Sequence, residues 1–125
     1  MRGEMRASIN KNEFYLNDAN DLKTYINALT SVTPAEAWIY TDASSLCILK
    51  TNDRAFLMYQ DNSEDTSETA TDESQHDDLI EFTLANGQVD EYPGNMCVPY
   101  STAVQAIEYF YKKSGLKYPK VNWCD

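Results

Sequence analysis

Glycine is scarce in this chain: Gly3, Gly87, Gly94 and Gly115 are the four among 125 residues. They form no Gly-x-Gly-x-x-Gly and no Walker sequence, so the chain offers no phosphate-cradling loop. Histidine is scarcer still. His76 stands alone within a polar, acidic stretch, without the fixed partner and walled site that a general base needs. There is no Gly-x-Ser-x-Gly elbow, and a cysteine nucleophile would have to work without a second histidine. The three cysteines, Cys47, Cys97 and Cys124, are odd in number and lack Cys-x-x-Cys spacing, so they read as reduced thiols and offer no zinc set. Apolar runs fall well short of the ~20 residues of a membrane helix. The opening Met1-Arg-Gly-Glu-Met5-Arg leads into no apolar signal-peptide core, and a cytoplasmic protein is expected.

Basic residues are also few. Ten Lys and Arg face 20 Asp and Glu, for a net charge of −10. That balance argues against direct contact with nucleic acid or an anionic membrane, both of which call for clustered bases. It suits a basic partner, whose opposite field would speed encounter, and it equally serves solubility. The excess is concentrated. Eighteen residues from Asp61 to Asp78 hold eight acids (Asp61, Glu64, Asp65, Glu68, Asp72, Glu73, Asp77 and Asp78), six Ser or Thr, and no base. A segment so poor in apolar groups cannot offset its ordering entropy, so an acidic mobile loop is expected over 61–78. Without its eight charges the other 107 residues carry only −2. Its acids lack the Asp-x-Asp-x-Asp-Gly spacing of a calcium loop. No metal or cofactor is expected.

The remainder is patterned like a globular domain, with 42% apolar residues and 15 aromatics, nine of them Tyr. A chain of this length suits one domain, 1–125, with a core that needs no disulfide or metal. Glu13–Leu16 reads as a short strand. Asn17 or Asp18 then caps a helix whose Leu22, Tyr25, Ile26 and Leu29 share one face. Ala37–Thr41, Leu46–Lys50 and Arg54–Tyr59 are apolar runs joined by short turns, the pattern of an antiparallel meander. Cys47 falls inside this pattern as a small core residue. Leu79–Leu84 and Gln88–Tyr92 flank Asn86-Gly87, a hairpin signal. Met96–Val98 is a further short extended piece. Pro99 and Ser101 open a second helix, with Ala103, Ile107, Phe110 and Tyr111 facing inward, Lys112 and Lys113 at its end, and Gly115 beyond. Pro119–Trp123 reads as a terminal extended segment. The expected class is α+β: an antiparallel sheet of about five or six strands packed by two helices.

The ending is specific enough to carry a resemblance. Val98-Pro-Tyr-Ser-Thr-Ala-Val-Gln-Ala-Ile-Glu-Tyr-Phe110, followed by Gly115, Pro119, Val121 and Trp123, resembles the bacterial immunity proteins of family one. There an apolar-Pro step opens a helix ending in an aromatic pair, and a Gly-x-x-x-Pro-x-x-x-Trp tail closes the chain. The order of helix, strand meander, variable loop and strand is also similar. The resemblance implies an inhibitor, not an enzyme, encoded beside a secreted toxin of interbacterial competition. It further implies that the toxin attacks nucleic acid, as a deaminase or nuclease with a basic groove that an acidic protein could occlude. The acids of 61–78 are then candidates for steering, while Trp38, Tyr40, Tyr59, Tyr92 and Tyr100 are candidate anchors, because Tyr and Trp dominate interface hot spots. Trp123 has the alternative role of a core anchor. Two other readings stand beside this one: a generic acidic adaptor or nucleic-acid mimic acting on a host enzyme, and a small enzyme with an unrecognised site.

Overall fold

The computed structural model describes residues 5–73 and 78–125. Among the described residues, ten strands and two α-helices follow one another as β1 Arg6–Ile9, β2 Asn12–Tyr15, α1 Ala19–Thr30, β3 Ala35–Tyr40, β4 Ser44–Thr51, β5 Arg54–Asp61, β6 Thr66–Thr71, β7 Leu79–Thr83, β8 Val89–Pro93, a 3-10 turn Gly94–Met96, β9 Val98–Pro99, α2 Tyr100–Lys112 and β10 Asn122–Cys124. Eight strands form one antiparallel sheet in the order β10-β6-β5-β4-β3-β1-β2, with β9 also on β5. β6 pairs with Met58–Asp61, β9 with Arg54–Ala55. β7 and β8 make a separate two-stranded hairpin.

The α+β class and the two helices agree with the sequence pattern, but the expected five or six strands become eight in the sheet and two in the hairpin. The excess comes from very short strands (β1, β9 and β10) and from β6. The last is the larger correction. Composition places Thr66–Thr71 in a loop, yet it is a strand held between β5 and β10. Three threonines supply β-branched residues, Ala70 faces the core with no exposed surface, and both backbone edges are paired. A polar strand can be ordered by its neighbours even when its own side chains bury little.

Period-two alternation gives the sheet two distinct faces. Ala7, Ile9, Ala37, Ile39, Leu46, Ile48, Leu57, Tyr59 and Ala70 point to the side covered by the helices, where they form the main core with Tyr25, Leu29, Ala103, Ile107 and Phe110. α1 begins as expected, with the Asp18 side chain accepting from the Asp21 N–H. Its C-terminus is closed by Lys50, a buried lysine on β4 whose Nζ donates to the carbonyls of Leu29, Thr30 and Val32 at 2.9, 3.0 and 2.6 Å. The opposite face carries a smaller core in which Cys47, Leu49 and Phe56 of the sheet meet Phe82 and Cys97 beneath the β7–β8 hairpin. Cys47 is buried as the sequence pattern suggested, and all three thiols are free.

The Gly-x-x-x-Pro-x-x-x-Trp tail is a clasp. Gly115 sits at φ +98, and its carbonyl accepts from Ser44 Oγ at 2.7 Å and Tyr59 Oη at 2.8 Å. Trp123 on β10 lies edge-on to Tyr59 and donates from Nε1 to the Tyr118 carbonyl at 2.7 Å. Lys117 joins the two layers by pairing with Glu68 at 2.6 Å. No helix among the described residues is long and apolar enough to cross a membrane.

Candidate partner-binding face

The hairpin covers only part of the second face. Its reach is fixed by Glu36, whose Oε1 accepts from the Ala85 N–H at 3.0 Å and whose Oε2 accepts from Trp38 Nε1 at 2.9 Å. Beyond that point two rows of side chains run across the sheet: the one nearer the hairpin is partly covered, with Cys47 buried and Trp38 and Met58 packed beside it, and the farther one has no covering layer among the described residues. The strand registers place Tyr15, Arg6, Tyr40, Ser45, Gln60 and Ser67 in one row. They place Glu13, Ser8, Trp38, Cys47, Met58 and Thr69 in the next. Tyr15 is 54% exposed, Tyr40 is half-buried with the Arg6 guanidinium 5.1 Å above its ring, and Trp38 is half-buried.

Where the covered and open parts meet lies a groove of about 190 Å³, lined by Glu36, Trp38, Cys47, Met58, Asp90 and Tyr92 among others. It brings together Trp38 and Tyr92, two anchors expected from the sequence. Tyr92 stacks on Phe56 with ring centres 3.9 Å apart and points its hydroxyl toward Asp90 Oδ2 at 3.4 Å. Burial, then the Asp90 charge, raises the Tyr92 phenol above its ordinary value, so it stays protonated near neutrality. Burial also raises the Cys47 thiol, which therefore adds no charge to the groove.

Two other expected anchors are elsewhere. Tyr59 is on the helix-covered face, 9% exposed, with its ring against Phe110 and Trp123. Tyr100 starts α2, shares a 2.8 Å hydrogen bond with Thr30 Oγ1, and lies 4.9 Å below the Lys50 ammonium. Both hold layers together.

The acids of 61–78 form no single patch. Asp61 ends β5 and accepts from the Ser63 hydroxyl and from the N–H groups of Ser63 and Glu64, contacts that lower its carboxyl below the ordinary value, the Ser63 hydroxyl foremost. Glu64 and Asp65 are exposed in the same turn, and Asp65 takes φ +52. By register this turn sits at the Tyr40–Ser45 end of the sheet, beside the open rows. Glu68 points to the helix side and is tied to Lys117. Asp72 and Glu73 border a different cleft with Lys120. The Asp78 carbonyl accepts from the Gly94 N–H. Asp77 and His76 lie outside the described residues. No group of three or more His, Cys, Asp or Glu suited to a metal occurs among the described residues.

The open rows include residues that sequence reasoning did not select: Tyr15, Arg6, Met58, Gln60 and, in the groove, Glu36 and Asp90. A signal existed in β3, where Ala35, Ala37 and Ile39 alternate with Glu36, Trp38 and Tyr40. It was masked in β4 and β5, whose apolar residues occupy both faces where the hairpin covers them.

A family model, the immunity protein Imm1, matches residues 16–125, from the end of β2 to the last residue. The chain belongs to the Imm1 family. The match covers α1, the meander, the hairpin and the clasp, and so bears out the resemblance seen in the C-terminal pattern. No curated protein matches the chain in sequence. As an Imm1 protein it is an immunity protein, and its quoted pattern residues, Gly115 and Trp123 among them, turn out to build the scaffold behind the open face.

Proposed function

We infer that this Imm1 protein binds a cognate bacterial toxin and neutralises it by laying the open sheet face over the toxin's active site. The supporting observation is the row Tyr15, Arg6, Tyr40, Ser45, Gln60 and Ser67, which nothing among the described residues covers, with half-buried Trp38 and Met58 beside it. A soluble domain that buries one sheet face under helices and half of the other under a hairpin leaves the remaining row for a partner. The toxin that fits best is a deaminase or nuclease with a basic substrate groove, because the margins of the face are acidic: Asp61, Glu64 and Asp65 at one end, Glu36 and Asp90 at the other. Those charges would steer encounter, and Trp38, Tyr40 and Tyr92 would supply buried contact. Inhibition without chemistry follows from this reading, and the protein acts where the toxin would otherwise harm its producer, in the bacterial cytoplasm.

The test is co-expression with the toxin domain encoded beside the gene. A stable complex by size-exclusion chromatography, together with rescued growth, is expected. Absence of both would overturn the reading. A deaminase or nuclease assay on the purified toxin would then fix the reaction that is blocked.

A further inference from the structure

The groove under the hairpin is a cleft with a definite chemistry. Its volume, about 190 Å³, equals roughly six waters at the ~30 Å³ each occupies in the liquid. That suits one long side chain and falls below the ~300–1,000 Å³ of small-molecule sites. Trp38, Met58 and Tyr92 give it aromatic and thioether walls, while Glu36 and Asp90 give it two carboxylates; no Lys or Arg lines it among the described residues.

The two acids play different parts. Each Glu36 oxygen accepts one short hydrogen bond, from the Ala85 N–H at 3.0 Å and the Trp38 indole at 2.9 Å. Glu36 therefore locks the Trp38 ring and adds negative field. Asp90 accepts from Gln88 Nε2 at 2.8 Å on one oxygen and from the Tyr92 hydroxyl at 3.4 Å on the other. A carboxylate has about four acceptor positions, so both acids keep capacity, and the 3.4 Å Tyr92 contact leaves Asp90 Oδ2 the least engaged of the four oxygens.

We propose that the groove between the open sheet face and the β7–β8 hairpin is the seat of one arginine side chain of the toxin. A guanidinium is planar, stacks on Trp and Tyr rings, and forks onto a carboxylate with parallel N–H bonds. A lysine ammonium is compact and strongly hydrated, and exploits flat walls less well. Charge complementarity gives the sign of the occupant, and wall shape gives its type. The proposal rests on the immunity reading and specifies where its affinity resides: in a desolvated anchor inside the groove, with the exposed 61–65 turn acting on encounter alone.

The experiment uses the full chain and the toxin domain encoded beside its gene, with affinity measured by calorimetry. Asp90→Asn keeps shape and removes charge, and is expected to weaken the complex about 30-fold, the scale of an interface hot spot. Trp38→Phe should weaken it less than Trp38→Ala, and melting curves of each free variant report whether the fold is intact. Replacing the toxin's exposed arginines singly by Met should find one position that matches the loss from Asp90→Asn. In the double variant the two losses should not add, and Lys at that position should not restore binding. Wild-type affinity of Asp90→Asn would overturn the arginine seat and leave the immunity reading standing. Loss with Asp90→Asn that is additive with every toxin arginine would overturn the identity of the occupant. Failure of the wild-type pair to associate at all would overturn both.

Discussion

Gly115 combines two demands that no other residue type meets. Its φ of +98 lies in the left-handed region, and an added Cβ would stand 2.6 Å from Ser44 Oγ, the atom that donates to the Gly115 carbonyl. Gly115→Ala should therefore cost about 1–2 kcal/mol in backbone conformation and a further ~1 kcal/mol from a displaced hydrogen bond. A loss of about 2–3 kcal/mol in urea unfolding is expected, and an unchanged midpoint would show the clasp to be incidental. Lys50 makes a second single-residue case. It is 4% exposed and donates to three carbonyls at the end of α1, where the helix dipole favours a cation. Burial lowers its ammonium from the ordinary lysine value. Lys50→Met keeps the bulk but removes the ammonium from the Thr30 and Val32 carbonyls and leaves Leu29 only the Val32 N–H, so a destabilisation of about 3 kcal/mol is expected in the same measurement. Toxin affinity of the folded fraction should not change, because Lys50 faces away from the open rows.

At the scale of elements, the β5–β6 hairpin shows both what was legible in the sequence and what was not. α1 and α2 could be read directly, because their apolar residues recur at helical spacing and their caps are local. The β3–β5 meander could be read from apolar runs and short turns. β6 could not, because its order comes from β5 and β10 and not from its own Thr-Ser-Glu-Thr-Ala-Thr. β10 in turn is positioned by Trp123 on Tyr59, a contact across 64 residues of sequence that no local pattern announces. The same non-local pairing divides the acids that composition had grouped. Glu68 is bound to Lys117, whereas Glu64 and Asp65 remain exposed beside the open face. Glu64→Gln with Asp65→Asn is therefore expected to slow toxin association several-fold at low ionic strength and to flatten its salt dependence, with little change in dissociation. Glu68→Gln should instead lower stability slightly and leave the association rate alone. Stopped-flow association at two ionic strengths separates the cases. An undiminished rate in the double variant would make the turn a bystander.

The molecule as a whole is built as two unequal cores on either side of one sheet, and the buried thiols report on the smaller one. Cys47 and Cys97 belong to the smaller core, while Cys124 is exposed on β10. One thiol should react with a water-soluble disulfide reagent at pH 8 in the native state and three in denaturant. Burial raises the Cys97 thiol from its ordinary 9.0 to about 11, with the Arg54 charge opposing. Burial likewise raises Cys47 and Tyr25. Above about pH 9 the unfolded chain loses thiol protons that the folded chain retains, so stability falls as pH rises toward about 11. Lys50 acts in the opposite sense, because its lowered value makes the unfolded chain the more protonated one just below 10.5. Two raised thiols and the raised phenols of Tyr25, Tyr92 and Tyr100 outweigh one lysine, so the urea midpoint should hold steady from pH 7 to about 8.5 and decline beyond it. Cys97→Ala should flatten the first part of that decline, and Lys50→Met should steepen the whole. If loss of the smaller core also released the β7–β8 hairpin, the groove would open with it. Toxin affinity would then fall in parallel with stability, whereas binding by the uncovered row alone would persist until the larger core unfolds.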